Sequence, residues 1–148
     1  DPSGHIEPLG LAFAIDQGVL ACACKGLAPN MELVVRIGTR EVPARPASVD
    51  PGKGYCTLAA PNTGSWPLAS SRFAPRAGDK VYAVRVAERG EPSLAAGTIR
   101  RIAGAASLVV VEVGGAASTA IAGTPLVDVQ GHLVAIGDGE RYVRMTER

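Results

Sequence analysis

The segment Gly123-Thr-Pro-Leu-Val-Asp-Val-Gln-Gly-His-Leu-Val-Ala-Ile-Gly137 contains two short apolar runs separated by Gln130-Gly131. Runs of about four to eight residues that are rich in Val, Ile and Leu and bounded by turn formers are typical of β-strands. Gly is favoured in tight turns because it adopts backbone conformations that other residues avoid. The segment therefore predicts strands at Pro125–Val129 and His132–Ile136, joined by a hairpin turn.

The rest of the chain repeats this pattern of short strands. Polar residues alternate with apolar ones in Glu32–Ile37 and Lys80–Val86, as expected for strands with one buried face. No segment combines a sustained period of about 3.6 residues with helix caps, so long helices are not expected. The other predicted strands are Leu11–Ile15, Val19–Cys24, Glu41–Ala44, Tyr55–Ala60, Leu94–Ile102, Ser107–Val113 and Arg141–Met145. This series indicates an all-β fold, either an antiparallel barrel or a sandwich.

The stretch Pro61–Ala77 interrupts the pattern, because it contains three prolines and no strand period. We interpret it as a connection between two strand-rich halves of about five or six strands each. The prediction is one domain over residues 1–148, with an N-terminal barrel at 9–62, a connection at 63–77 and a C-terminal barrel at 78–146. A length of 148 residues is sufficient for one such domain.

Composition excludes several classes of function. Lysine and arginine total 15 against 14 acidic residues, which leaves a net charge of +1 and argues against a nucleic-acid or anionic-membrane partner. No apolar run approaches the roughly 20 residues that span a bilayer, so membrane insertion is not predicted. Three cysteines are too few for a disulfide scaffold. The first residue is Asp1 rather than Met, so a trimmed or processed fragment is expected.

Several segments resemble, in the same order, those of trypsin-like serine proteases, especially the HtrA/Deg branch. Gly10–Leu20 resembles the opening hairpin, and Asp50–Leu58 is similar to the Asp-Pro-x-x-Asp-Leu-Ala-Leu-Leu segment that holds the catalytic aspartate. Gly78–Val84 and Ala96–Ile99 resemble strands of the second barrel, and Gly123–Gly137 resembles the stretch that follows the nucleophile. The resemblance implies two small antiparallel Greek-key barrels packed together, with shortened loops.

The catalytic positions that this resemblance implies lack catalytic side chains. Cys24 stands at the histidine position, Gly54 at the aspartate position and Ala122 at the serine position. Acyl transfer of this type needs a nucleophile, a base and a carboxylate that orients the base. Ala120 and Thr124 also replace two glycines of the loop that forms the oxyanion hole in that family. The resemblance therefore implies a pseudoprotease with no catalytic residues.

The three cysteines leave several arrangements open. Within the predicted strand Val19–Cys24, Cys22 and Cys24 share one face, and Lys25 points to the other. Cys56 lies two residues beyond the aspartate position, on a strand expected near the histidine position. A disulfide or a soft-metal site could join Cys56 to Cys22 or Cys24. No metal site is predicted because a fourth ligand is not assured, and no cofactor is expected.

A relocated nucleophile is the alternative that would preserve activity. Cys24 or Ser118 could serve as that nucleophile, although neither has a nearby base in the sequence. His132 follows Gly131 in the predicted hairpin turn, and His5 lies in the N-terminal segment. Both histidines are interpreted as solvated residues rather than general bases.

The predicted function is a protein- or peptide-binding or scaffolding module of a larger protein. Ile136, Asp138 and Gly139 are the predicted binding residues. Asp138 and Gly139, after Ile136, are similar in place to the segment that pairs with substrate backbone in active relatives of the family. An exposed strand edge there could take up an extended peptide through main-chain hydrogen bonds. The alternatives are a hydrolase with a relocated nucleophile and a purely structural spacer domain. The resemblance implies an extracytoplasmic bacterial setting, and the sequence does not fix the oligomeric state.

Overall fold

The computed structural model describes residues 10–64, 67–71, 74–86, 92–104, 108–113, 116–117 and 121–145. Within these residues the secondary structure is β-strand apart from one 3-10 turn at Pro51–Lys53. The strands are β1 (Ala12–Asp16), β2 (Val19–Cys22), β3 (Leu33–Ile37), β4 (Arg40–Ser48), β5 (Cys56–Ala59), β6 (Lys80–Val86), β7 (Pro92–Ala103), β8 (Leu108–Val113), β9 (Ala116–Ala117), β10 (Pro125–Asp128), β11 (Leu133–Gly137) and β12 (Tyr142–Arg144). The all-β prediction is confirmed.

The first five strands form an open antiparallel sheet with the order β1-β2-β5-β4-β3. Strand β4 is the longest of them, and it pairs with β3 as far as Ala44 and with β5 from Arg45 onward. The predicted strand Glu41–Ala44 is therefore too short. In the described residues β1 and β3 remain at the two edges, so this half is a half-barrel.

The later strands form a second sheet with the order β12-β11-β10-β6-β7-β8-β9. Strand β12 also pairs with β8, through Tyr142 opposite Val109 and Val143 opposite Leu108. This extra pairing closes six of the strands into a barrel. A closed sheet has no unpaired edge, because its first and last strands bond to each other.

Apolar side chains form three buried clusters. One fills the closed barrel and includes Val81, Ile99 and Leu126. A second lies in the half-barrel and includes Cys22, Cys56 and other small or aliphatic side chains. The third joins the two halves, with Ile15, Ala21 and Tyr55 on one side and Leu133, Ile136 and Val143 on the other. This shared cluster fixes the halves against each other and so shapes the groove between them.

The connection between the halves contacts both of them. The Leu68 N–H donates to the Ala14 carbonyl in β1 at 2.9 Å, and the Leu133 N–H in β11 donates to the Ala69 carbonyl at 2.7 Å. Ser70 forms an isolated parallel bridge with Leu133. These backbone bonds hold residues 67–71 across the joint without adding a further strand.

Candidate functional site

A shallow groove of about 370 Å³ lies where the two halves meet. The half-barrel contributes Ala23, Cys24, Lys25, Pro51, Gly52 and Gly54. The closed barrel contributes Leu108, Asp138, Arg141 and Val143. Cys24 and Gly54, which the family resemblance places at the histidine and aspartate positions, therefore line the same groove.

Cys24 lies just beyond β2, because that strand ends at Cys22 rather than at Cys24 as predicted. The chain then turns, and the Leu27 N–H donates to the Cys24 carbonyl at 3.0 Å. Once residues 23–26 leave the strand, strict alternation of side chains no longer applies, and both Cys24 and Lys25 line the groove. The expectation that Lys25 points away from Cys24 on a strand is therefore wrong.

The Cys24 sulfur is bonded to that of Cys56 in a disulfide, with 5.2 Å between the two Cα atoms. Cys22 is the remaining thiol and is buried. Burial raises the pKa of the Cys22 thiol from its ordinary value of 9.0 to about 11. Of the arrangements that the sequence leaves open, the structure contains the Cys24–Cys56 disulfide. Neither sulfur of that bond is available as a thiolate nucleophile.

Gly54 closes the 3-10 turn with a backbone φ of 93°. The Asp50 carboxylate accepts the Gly52 N–H at 3.1 Å and so caps the start of this turn, while the Gly54 N–H donates to the Pro51 carbonyl. A Cβ built on Gly54 would lie 2.5 Å from Cγ1 of the buried Val143. Any side chain at this position therefore has both an unfavourable backbone conformation and a steric clash to overcome.

Ala122 lies in a tight turn before β10. The N–H and hydroxyl of Thr124 both donate to the Ile121 carbonyl, at 3.2 and 2.7 Å. Gly123 has a φ of 79°, and its N–H donates to the Gly137 carbonyl at 2.9 Å. A Cβ built on Gly139 would be 3.8 Å from the Ala122 Cβ, which places Ala122 beside the loop that carries Asp138. Ala120 lies outside the described residues.

Asp138 organises the turn between β11 and β12 at the edge of the groove. Its Oδ1 accepts the Glu140 and Arg141 N–H groups at 2.9 and 2.7 Å. Its Oδ2 lies 3.8 Å from Nε of Arg141, whose side chain is 61% exposed. The carboxylate is thus engaged by its own turn, and the guanidinium retains most of its exposed surface. Among the lining side chains that the structure describes, Lys25 and Arg141 are cationic and Asp138 is anionic, so the groove has a net charge of +1.

The three predicted binding residues occupy different environments. Ile136 is fully buried in β11, with Pro125 opposite it on one side and Val143 on the other. The strand edge expected at Ile136–Gly139 is therefore not open, because β12 pairs with β11 as far as Gly137 and Tyr142. Asp138 is half-buried in the groove, and Gly139 is exposed beside it. A peptide at this site would contact the turn rather than extend the sheet.

The remaining candidate residues lie away from the groove or outside the described residues. His132 lies in the predicted hairpin turn, and its N–H donates to the Asp128 carboxylate at 2.9 Å. His5 and Ser118 fall outside the described residues. Sequence reasoning also missed Leu108 and Val143 as groove residues. Their only sequence signal is an apolar strand pattern, which does not indicate what the strand will face.

The side chains and helices of the described residues bear on metal binding and on membrane crossing. No group of three or more His, Cys, Asp or Glu side chains within the described ranges is arranged to hold a metal ion. Over the same ranges, no helix has the length and apolar character that crossing a membrane requires.

Comparison with known proteins identifies the fold through solved structures. No protein-family model matches the chain, and no curated protein matches it by sequence. The chain is similar to the inactive form of the Rv3671c protease, with a TM-score of 0.72, 18% identity and coverage of 91% of this chain and 77% of that one. The active form from M. tuberculosis gives a TM-score of 0.64 at 21% identity, over 91% of this chain and 67% of that one.

The HtrA-type protease AlgW, solved with a decapeptide, gives a TM-score of 0.71 at 19% identity. The match covers 93% of this chain but 48% of AlgW, so this chain spans about half of that protein. The chain therefore has the trypsin-like double-barrel fold of HtrA-type proteases.

Proposed function

We propose that this chain is a catalytically inactive domain of protease fold that binds a protein or peptide segment along the groove between its halves. The observation that carries the proposal is that the positions assigned to the histidine and the aspartate hold a disulfide-bonded cysteine and a closely packed glycine. Cys24 is held in a disulfide where the resemblance places the imidazole, and Gly54 packs against Val143 where it places the carboxylate.

Loss of these two groups removes the proton transfers on which the family's chemistry depends. A serine or cysteine nucleophile becomes reactive at neutral pH when an adjacent base accepts its proton, and the base needs a partner that fixes its tautomer. Among the described groove residues the titratable side chains are Lys25, Asp138 and Arg141, and Asp138 already accepts two backbone N–H groups. None of the three is a histidine, the side chain that most often serves as a general base. This set supports binding rather than proton transfer.

Peptide binding is supported by the shape and charge of the groove. The AlgW neighbour was solved with a decapeptide, and this chain shares its fold. Because β11 is paired on both sides, we expect contacts through the turn and the groove side chains instead of an added strand. Lys25 and Arg141 are exposed cations on the two sides of the groove, so an acidic segment is the favoured ligand.

The absence of catalysis is tested with a fluorophosphonate and with iodoacetamide, each followed by intact mass and peptide mapping. The folded chain should show no stoichiometric labelling with either reagent, since Cys22 is buried and the other two cysteines are bonded. Unfolded, reduced protein is the positive control for iodoacetamide. Fold-dependent labelling of one residue, such as Ser118, would overturn inactivity and support a hydrolase with a relocated nucleophile.

Binding is tested with three fluorescent decapeptides of the same length. They differ only in whether their variable positions carry acidic, neutral or basic side chains. Anisotropy titrations should show saturable binding that is strongest for the acidic peptide. Arg141→Gln should weaken that binding about threefold to tenfold, and Arg45→Gln, on the exposed face of β4, should leave it unchanged. Absence of saturable binding by all three peptides would contradict the proposal and support a spacer domain.

A further inference from the structure

The three cysteines belong to one apolar cluster in the half-barrel, and Cys24 also lines the groove. Cys22 and Cys56 are directly opposite each other in the β2–β5 register, and Cys24 is bonded to Cys56. The cysteines differ sharply in exposure, since Cys56 is 0% exposed and Cys22 9%, whereas Cys24 is half-buried and lines the groove. The disulfide thus joins a fully buried cysteine to a partly buried one that packs against the same apolar cluster and lines the groove.

We propose that Cys24 is a site of reversible thiol exchange, at which a small anionic thiol opens the Cys24–Cys56 disulfide and remains attached as a mixed disulfide. This inference is independent of peptide binding, because it concerns the covalent chemistry of the groove alone. A volume of about 370 Å³ lies within the range of about 300–1,000 Å³ that small-molecule sites occupy.

The exchange step is balanced without any added oxidant. The thiolate of the incoming molecule bonds to the Cys24 sulfur, and the Cys24–Cys56 bond breaks with its electron pair passing to the Cys56 sulfur. Cys56 then takes up a proton, equivalent to the one that the incoming thiol released. Attack of Cys56 on the mixed disulfide reverses the step and expels the small thiol.

Accessibility selects the sulfur that is attacked. Thiol–disulfide exchange requires the thiolate to reach one sulfur along the S–S axis. Cys56 belongs to the apolar cluster of the half-barrel together with Leu20 and Leu58, and a thiolate would have to enter that cluster to reach it. Cys24 is only partly buried and lines the groove, so an incoming thiolate reaches its sulfur more readily. The adduct therefore forms on Cys24.

Charge selects the class of thiol. Lys25 follows Cys24 in the same turn, and Arg141 lines the opposite side of the groove. The counter-charge of Asp138 is engaged by the N–H groups of Glu140 and Arg141 and lies 3.8 Å from the Arg141 side chain. An anionic thiol is attracted to the two cations, and a cationic thiol is repelled, with effects that salt screens.

The test measures exchange between the folded chain and 3-mercaptopropionate, 2-mercaptoethanol or cysteamine, which are anionic, neutral and cationic. Samples are quenched in acid, and adducts are located by intact mass and peptide mapping. We expect the first adduct at Cys24. Each rate per thiolate is divided by the rate of the same thiolate with a small uncharged disulfide, because thiolates of higher pKa are intrinsically more nucleophilic. This normalised rate should be about threefold to tenfold higher for the anionic than for the cationic thiol. Raising the salt concentration should reduce that ratio.

Variants separate the proposed roles of charge and of the third thiol. Lys25→Gln should lower the anionic preference, and Arg45→Gln should leave it unchanged. Cys22→Ala should still give the Cys24 adduct, because Cys22 takes no part in the step. A first adduct at Cys56, equal normalised rates for the three thiolates, or exchange that occurs only in denaturant would each overturn the proposal.

Discussion

The closed barrel and the half-barrel are stabilised in different ways. In the closed barrel, pairing of β12 with β8 satisfies the last strand edge, and a continuous aliphatic cluster fills the interior. In the half-barrel, β1 and β3 stay at the edges within the described residues, and a disulfide joins the loop after β2 to β5. The comparison indicates that a covalent link restrains the half in which hydrogen bonding alone does not close the sheet.

The groove lies between the closed barrel and the half-barrel, and each half contributes a different kind of lining. Its half-barrel side consists of turns, around Cys24 and Gly54, and its closed-barrel side includes the buried strand residue Val143. The shared apolar cluster with Tyr55 and Ile136 leaves no freedom for the two sides to move apart without exposing core side chains. The base of the groove is accordingly fixed by core packing.

The largest expected effect concerns the contact that joins the two halves near the N-terminus. A Cβ on Gly123 would lie 1.8 Å from the Leu11 carbonyl oxygen, a backbone atom that cannot turn aside. We expect Gly123→Val to destabilise the chain by more than about 4 kcal/mol or to prevent folding, as measured by urea denaturation.

Gly131→Val is the matched control, because Gly131 has a φ of 81° but open space around it. It should lose about 1–2 kcal/mol from backbone strain alone. Equal decreases in the free energy of unfolding for the two variants would contradict this prediction. They would mean that the close approach of Gly123 to Leu11 does not hold the two halves together.

The next effect tests the disulfide of the half-barrel. The bond closes a loop with a sequence separation of 32 residues, for which chain entropy predicts a stabilisation of about 3–4 kcal/mol. Cys24→Ser is measured with a reductant present so that Cys22 and Cys56 stay thiols. Its free energy of unfolding should be lower by this amount than that of the unsubstituted chain with its disulfide intact, measured without reductant. Native-state hydrogen exchange should show faster exchange in β2 and β5 than in β6 and β10.

A uniform increase in exchange over both halves would contradict this prediction. It would show that the closed barrel and the half-barrel unfold as one cooperative unit, so that the disulfide stabilises the whole domain rather than its open half.

A smaller, pH-dependent effect follows from Cys22 in the same half. Its pKa is about 11 in the folded chain against an ordinary 9.0, so the folded state holds the thiol proton to higher pH than the unfolded state. The stabilisation is complete below pH 9 and is lost as pH rises toward 11, by about 2–3 kcal/mol. Urea denaturation from pH 8 to 11 should show this loss. Cys22→Ala should be less stable at pH 8 but should lack this part of the pH dependence.

Local sequence signals predicted the strands best where pairing is regular. Lys80–Val86 has the predicted bounds, because β7 pairs with it along its whole length and β10 pairs with it at Val81–Ala83. The predicted strand Glu41–Ala44 contains Pro43 and ends two residues before Pro46, and prolines are unfavourable within sheets. Strand β4 instead runs to Ser48, with Pro43 and Pro46 accommodated where it changes partners and where its register with β5 is irregular.

The candidate site was harder to predict because its critical contacts are long-range. The disulfide partner depended on where β2 ends, since a strand through Cys24 would have placed Cys22 and Cys24 equivalently. The contact of Gly54 with Val143 joins residues from opposite halves, and neither local propensity nor the resemblance places a side chain over that glycine. The family resemblance could assign Cys24 and Gly54 to triad positions, but it did not predict the disulfide at one or the contact with Val143 at the other.

The smallest expected effect lies at the outer edge of the half-barrel. Arg36 and Glu41 are cross-strand partners in the β3–β4 hairpin, with Nη2 and Oε2 3.4 Å apart and side chains 70% and 46% exposed. Ordering two exposed side chains costs entropy, and water and salt screen their attraction, so the coupling should be below about 0.5 kcal/mol. A double-mutant cycle of Arg36→Gln and Glu41→Gln, followed by urea denaturation at low and high salt, measures it. A coupling above about 1 kcal/mol would contradict this prediction and mean that the ion pair contributes to the stability of this hairpin.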